Sequence, residues 1–184
     1  EAFDDYLAYG YVPVPRTIFK NIHKLPPAHR LSWTPGKLSI DQYWSIRFHS
    51  EPSVVLDEAD VLAQLRELLE DSIRLRLRSD VPVGSFLSGG VDSNTITALA
   101  SLQLDRPLMT FSVGFGEADF NELSLARLTA ERYKTDHHEI TIDDKDVSTL
   151  PEMVAHYGGP FADPSMLPTF YLVREAGRHV KVCL

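Results

Sequence analysis

The segment that most restricts the fold is a short apolar run, residues 81–87. It breaks into Ser88-Gly89-Gly90-Val91-Asp92-Ser93 before helix-forming sequence begins. Seven residues are too few for an ordinary helix, so the run reads as a buried strand. Similar runs recur at 108–115, 138–142 and 180–184. Between and around them, helical periodicity covers 56–77, 94–104, 122–133, 145–156 and 168–177. In 56–77, Leu62, Leu65, Leu68, Leu69 and Ile73 fall at helical spacing, with Asp57 placed to cap and Asp60 in the first turn. Strands that alternate with helices predict an α/β domain, a parallel sheet with helices on both faces.

The first 50 or so residues have another texture. Pro13, Pro15, Pro26, Pro27 and Pro35 interrupt them. A short helix is expected over 3–9 and extended chain over 10–17, because a proline biases its predecessor away from helix. Residues 29–33 and 37–43 read as two strands joined by Thr34-Pro35-Gly36. Trp33, Tyr43 and Trp44 are expected to pack on that hairpin rather than to stack bases. The sequence therefore divides into an arm with a β-hairpin, residues 1–55, and an α/β domain, residues 56–184.

Charge limits the partners. The 184 residues carry 26 acidic against 18 basic side chains, a formal net charge of −8. Nucleic-acid binding needs a basic face, so no nucleic-acid partner is expected. The one basic cluster, Arg74, Arg76 and Arg78, reads as a solvated helix end. No apolar stretch approaches the roughly 18 residues of a membrane helix, and the acidic start Glu1-Ala2-Phe3-Asp4-Asp5 does not resemble a signal peptide. A single cysteine, Cys183, excludes an internal disulfide and is read as a small strand residue; a cytoplasmic setting fits.

The loop at 88–93 carries the chemistry. Two glycines let backbone turn sharply and approach a ligand closely. The helix that follows presents unpaired N–H groups and the positive end of its dipole. With the hydroxyls of Ser88 and Ser93, this pattern makes a cradle for phosphate. Asp92 fits if a magnesium ion bridges it to the phosphates. The mononucleotide loop G-x-x-x-x-G-K-[ST] is excluded, because no lysine occurs between Lys37 and Lys134, and G-x-G-x-x-G is absent. The plainer alternative is a strand-to-helix turn with no ligand.

The wider text resembles a known family. Ser88-Gly89-Gly90-Val91-Asp92-Ser93 resembles the pyrophosphate loop of the ATP pyrophosphatase superfamily. Residues 79–87 running into it are similar to the glutamine-hydrolysing asparagine synthetase family. So are Thr110-Phe111-Ser112-Val113-Gly114-Phe115, Phe120-Asn121-Glu122, Asp136-His137-His138-Glu139 and Pro160-Phe161-Ala162-Asp163-Pro164-Ser165. The arm matches through Gly10-Tyr11-Val12-Pro13, Pro15-Arg16-Thr17-Ile18-Phe19 and Lys24-Leu25-Pro26-Pro27-Ala28-His29.

The resemblance implies an adenine nucleotide alpha hydrolase-like sheet and an enzyme that uses Mg-ATP. Such enzymes adenylate the side-chain carboxylate of aspartate, release pyrophosphate and amidate the product with ammonia from a glutaminase domain. It implies that Ser88, Gly89, Gly90, Asp92 and Ser93 hold pyrophosphate, that Asp92 is a magnesium ligand, and that Leu87 and Val113 contact the adenosine. The partners are then small molecules, ATP, a carboxylate and ammonia, and a homo-oligomer is compatible. The family's N-terminal cysteine nucleophile has no counterpart here. Its Ser-Gly-x-Gly-x-Asp-Glu loop and catalytic lysine are expected beyond Leu184, so the synthetase domain is read as partial and the catalytic residues are unassigned. Gly158-Gly159 stands where many relatives carry acids. Another acceptor carboxylate, as in a β-lactam-forming synthetase, and a non-catalytic nucleotide-binding module remain alternatives. His137-His138 reads as the opening of a strand rather than as a metal pair, since neighbours on a strand face opposite ways.

Overall fold

A computed structural model describes residues 1–48, 57–115, 122–142 and 148–184. Two units divide the chain: Glu1–Val55 with Thr149–Pro164, and Leu56–Ser148 with Ser165–Leu184.

In the first unit, α1 spans Ala2–Tyr9. Arg16 ties the following extended segment back to this helix through two bonds to one Asp5 carboxylate oxygen, at 2.6 and 2.9 Å. Strands β1 (His29–Thr34) and β2 (Lys37–Gln42) pair antiparallel. Thr34 faces Lys37, so Pro35-Gly36 alone makes the turn, and Gly36 takes the φ of 79° that an L side chain avoids. The expected aromatic packing is not what forms. Trp33, Tyr43 and Trp44 are 68%, 69% and 59% exposed, because a two-stranded ribbon offers each face only one neighbouring strand. Tyr11 pairs with Phe161 in an isolated bridge, and the Ala162 N–H donates to the Gly10 carbonyl at 2.8 Å. Helix α2 belongs to the second unit and spans Glu58–Arg76.

The second unit is the expected α/β layer structure. Its strands are β3 (Val83–Phe86), β4 (Met109–Phe115), β5 (Asp136–Ile142) and β6 (Val182–Cys183). All pair parallel in the order β5-β4-β3-β6. Helices α3 (Val91–Ser101) and α4 (Leu123–Tyr133) cover one face, and α6 (Met166–His179) covers the other. The alternation of side chains along each strand assigns the faces. Ser85 of β3 bonds Thr97 of α3 at 3.1 Å, while Leu87 packs on Ala126 and Ala130 of α4. Opposite them, Phe111 of β4, fully buried, packs on Ala176 of α6 and on Val180. Gly84 makes room for that ring: a Cβ there would lie 2.8 Å from Phe111 Cε2.

Helix α2 starts as its sequence dictates, with the Asp57 carboxylate accepting from the Ala59 N–H at 2.9 Å. It packs through Ile73 on Ala100 and Leu108. Arg74 and Arg76 lie exposed in its last turn, Arg74 paired with Asp71. Helix α5 (Leu150–Tyr157), in the first unit, is shorter than expected; residues 145–147 of that expectation lie outside the described residues. Helix α3 starts three residues earlier than its composition suggests. Gly-Gly-Val-Asp-Ser looks like a turn, yet Gly90 is an extended N-cap and Val91 already helical.

Candidate functional site

The loop from Ser88 to Gly90 lies where β3 gives way to α3, at the carboxyl edge of the parallel sheet. Open α/β sheets bind ligands at that edge. Two bonds fix its strand-side shoulder at Leu87. The Leu87 N–H donates to the Phe111 carbonyl at 2.9 Å, and the buried Ser112 hydroxyl donates to the Leu87 carbonyl. The loop therefore begins on a rigid rail formed by β3 and β4.

Its two serines fold it inward. Ser93 Oγ accepts from the Ser88 N–H at 3.1 Å and lies 2.8 Å from Ser88 Oγ. Ser88 Oγ in turn accepts from the Gly90 N–H at 3.1 Å. The sequence predicts hydroxyls turned to a ligand; here they satisfy one another across the first turn of α3. Asn94, the residue after the motif, reaches back to the Gly89 carbonyl at 3.4 Å. Neither glycine takes a positive φ. The need for glycine at 89 is close packing: a Cβ there would meet Leu125 at 3.0 Å and Glu122 Cβ at 3.2 Å.

Leu87, Ser88, Ser93 and Val113 border one cavity of about 130 Å³ with Phe86, Ser112, Glu122, Leu123, Ala126 and Leu172. Four residues singled out in the sequence thus meet in space, although Val113 lies 20 or more positions from the loop. Gly89 and Gly90 form the turn beside it, and Asp92 is exposed on the first turn of α3. Ser112 and Glu122 are additions the motif alone does not single out. Glu122 stands at the N-cap of α4, but its side chain makes no cap bond. Instead its Oε2 accepts from the Gly89 N–H at 3.1 Å.

A serine pair, glycine N–H groups at a helix start and a nearby apolar cavity suit an anion attached to a flat apolar body. The exposed Asp92 carboxylate is an oxygen donor of the kind magnesium takes. The remaining candidates belong to other features. Thr110 Oγ1 lies 2.9 Å from His137 Nδ1, on one face of the sheet, while the His138 ring stacks on Phe111 at 5.2 Å, on the other. Among the described residues no group of three or more His, Cys, Asp or Glu could hold a metal ion. Cys183, half-buried beside Phe111, has its thiol pushed above the ordinary range by burial, which removes it as a ready nucleophile.

A parallel α/β sheet with a glycine loop opening a helix at its carboxyl edge defines the class. The sequence narrows it. The model of the asparagine synthase family matches residues 64–184, and the chain belongs to that family. It is 34% identical to glutamine-hydrolyzing asparagine synthetase 1 of Bacillus subtilis (strain 168), over 100% of this chain and 29% of that protein. It is 36% identical to a putative glutamine-hydrolyzing asparagine synthetase of Mycobacterium bovis, over 100% of this chain and 28% of the relative. The chain thus spans less than a third of the length of these two relatives. Among solved structures, the NH3-dependent NAD synthetase of Campylobacter jejuni matches 70% of this chain and 56% of its own, with 12% identity and a TM-score of 0.42. No described helix is long and apolar enough to cross a membrane.

Proposed function

We propose that this chain supplies the nucleotide-binding part of an ATP-dependent asparagine synthetase, in which aspartate is activated as its acyl adenylate and then amidated by ammonia. The observation that carries the reading is the meeting of Leu87, Ser88, Ser93 and Val113 at one cavity on the carboxyl edge of the sheet. In this reading Ser88, Gly89, Gly90 and Ser93 grip the pyrophosphate end of ATP, and Leu87 and Val113 contact the adenosine. Donors fixed by a strand end and a helix start stabilise charge as it grows on a leaving pyrophosphate without first having to reorganise. Asp92 holds magnesium, which neutralises phosphate charge when bound. Arm and α/β domain divide at residue 55, and the amidating step depends on chain outside these residues. The setting is cytoplasmic, and a homo-oligomer is compatible.

Calorimetric titration with MgATP tests the reading. This chain is expected to bind, and Asp92→Ala to weaken magnesium-dependent affinity by about tenfold or more without changing Tm. Equal affinity with and without the carboxylate removes the metal role; no binding to the parent chain removes the nucleotide reading. In the whole protein, aspartate-dependent exchange of labelled pyrophosphate into ATP separates a synthetase from a binding module. Exchange driven by a different carboxylate would reassign the acceptor.

A further inference from the structure

We propose that the Glu122 carboxylate is the resident occupant of the anion position at Gly89, and that a phosphate group reaches the loop by displacing it. The inference rests on the nucleotide reading above and deepens it.

Glu122 is at the N-cap of α4, where a side chain ordinarily turns back to its own helix. Its backbone does so: the Glu122 carbonyl accepts from the Leu125 and Ala126 N–H groups at 3.0 and 3.1 Å. Its side chain does not cap. The carboxylate crosses instead to the Gly89 N–H at 3.1 Å, 33 residues away in sequence. That N–H is one of the donors by which a glycine loop holds phosphate. A carboxylate and a phosphate oxygen are both acceptors, both negative, and drawn to the same helix-start field. One N–H serves one of them well. Glu122 also borders the cavity with Ser88 and Ser93, so a phosphate there would lie beside the carboxylate as well as compete with it.

Contact with Gly89 is close enough to make the arrangement specific. The Cβ position of residue 89 lies 3.2 Å from Glu122 Cβ, so the loop rests directly on the start of α4. With the loop empty, the contact satisfies an amide that would otherwise need water. With phosphate bound, the carboxylate must turn away or accept repulsion. Glu122 is thus a gatekeeper for charge at the loop: it lowers affinity for bare polyphosphate and favours one whose charge a cation has already reduced.

The variant Glu122→Gln tests this, because it keeps size and acceptor oxygen but removes the charge. Inorganic pyrophosphate without magnesium, and MgATP, are titrated into both proteins by calorimetry. Glu122→Gln is expected to bind metal-free pyrophosphate roughly three- to tenfold more tightly, with a smaller gain for MgATP. In the wild type, the Gly89 amide resonance should shift as pyrophosphate replaces the carboxylate at that N–H. A purely structural role predicts no affinity change, since glutamine can still accept from Gly89. Equal or weaker pyrophosphate binding by Glu122→Gln overturns the inference while leaving the nucleotide reading intact. Absence of binding to either protein removes that reading and this inference with it.

Discussion

The two ends of the parallel sheet use similar residues for opposite purposes. Toward the amino end of β4 and β5, Thr110, Thr135 and His137 form a chain of bonds at 2.8 and 2.9 Å, and the rings of His138, Phe111 and His179 cluster together. Thr110 and Phe111 there are fully buried. Toward the carboxyl end, Ser88 and Ser93 make equally short bonds, but at a surface. A buried hydroxyl is locked, because breaking its bond leaves a polar group without water. A surface hydroxyl can exchange a protein partner for a ligand at little cost. The amino end is therefore built for stability, and the carboxyl end keeps its donors within reach of solvent.

The strongest break of this contrast is Phe111→Ala. The ring is fully buried against Ala176 and Val180. Its loss should cost about 3–5 kcal/mol, read by urea denaturation. Gly89→Ala comes next. The added methyl meets Leu125 and Glu122 inside ordinary contact distance, so about 1–3 kcal/mol of stability should go, with the loop displaced from α4. Ser93→Ala should cost no more than about 1 kcal/mol in stability, since its partners are exposed and water can replace it. Its effect on pyrophosphate affinity should be larger than its effect on Tm. A Ser93→Ala protein that loses Tm as Phe111→Ala does would show that the two ends do not differ in kind.

Sequence made the sheet and the loop legible for the same reason. Buried parallel strands are written as short apolar runs, and glycines at a strand end mark a turn whatever lies around it. Thus β3, β4 and β6 fall inside the runs at 81–87, 108–115 and 180–184, while β5 begins at Asp136, two residues before the run at 138–142. Less legible was what depends on distant packing. The Glu122 side chain looks like an ordinary helix-start acid, and only the placement of α4 brings it to Gly89. Ser112 reads as a polar interruption in an apolar strand, until its bond to the Leu87 carbonyl gives it a role. The hairpin misleads in the other direction: Trp33, Tyr43 and Trp44 have core-forming side chains but stand exposed.

The smallest expected effect is a pH dependence at the amino end. Burial is the main influence on His137 and pushes its pKa below the ordinary 6.5, with His138 and Arg127 acting in the same direction. The nearby Glu139 carboxylate, 3.3 Å from Nε2, opposes this but does not reverse it. The unfolded chain therefore takes up a proton at this position more readily than the folded one. The stability is complete above about pH 6.5 and is lost as pH falls from there toward the lowered native value. Glu139 titrates in a separate window: Arg127 bonds it at 2.6 and 2.7 Å and holds its carboxyl below 4.5. Thermal melts between pH 7.5 and 5.5 should show a modest fall in Tm that His137→Asn makes shallower. An unchanged slope in that variant would assign the fall to other histidines and leave the Thr110–His137 bond a matter of packing alone.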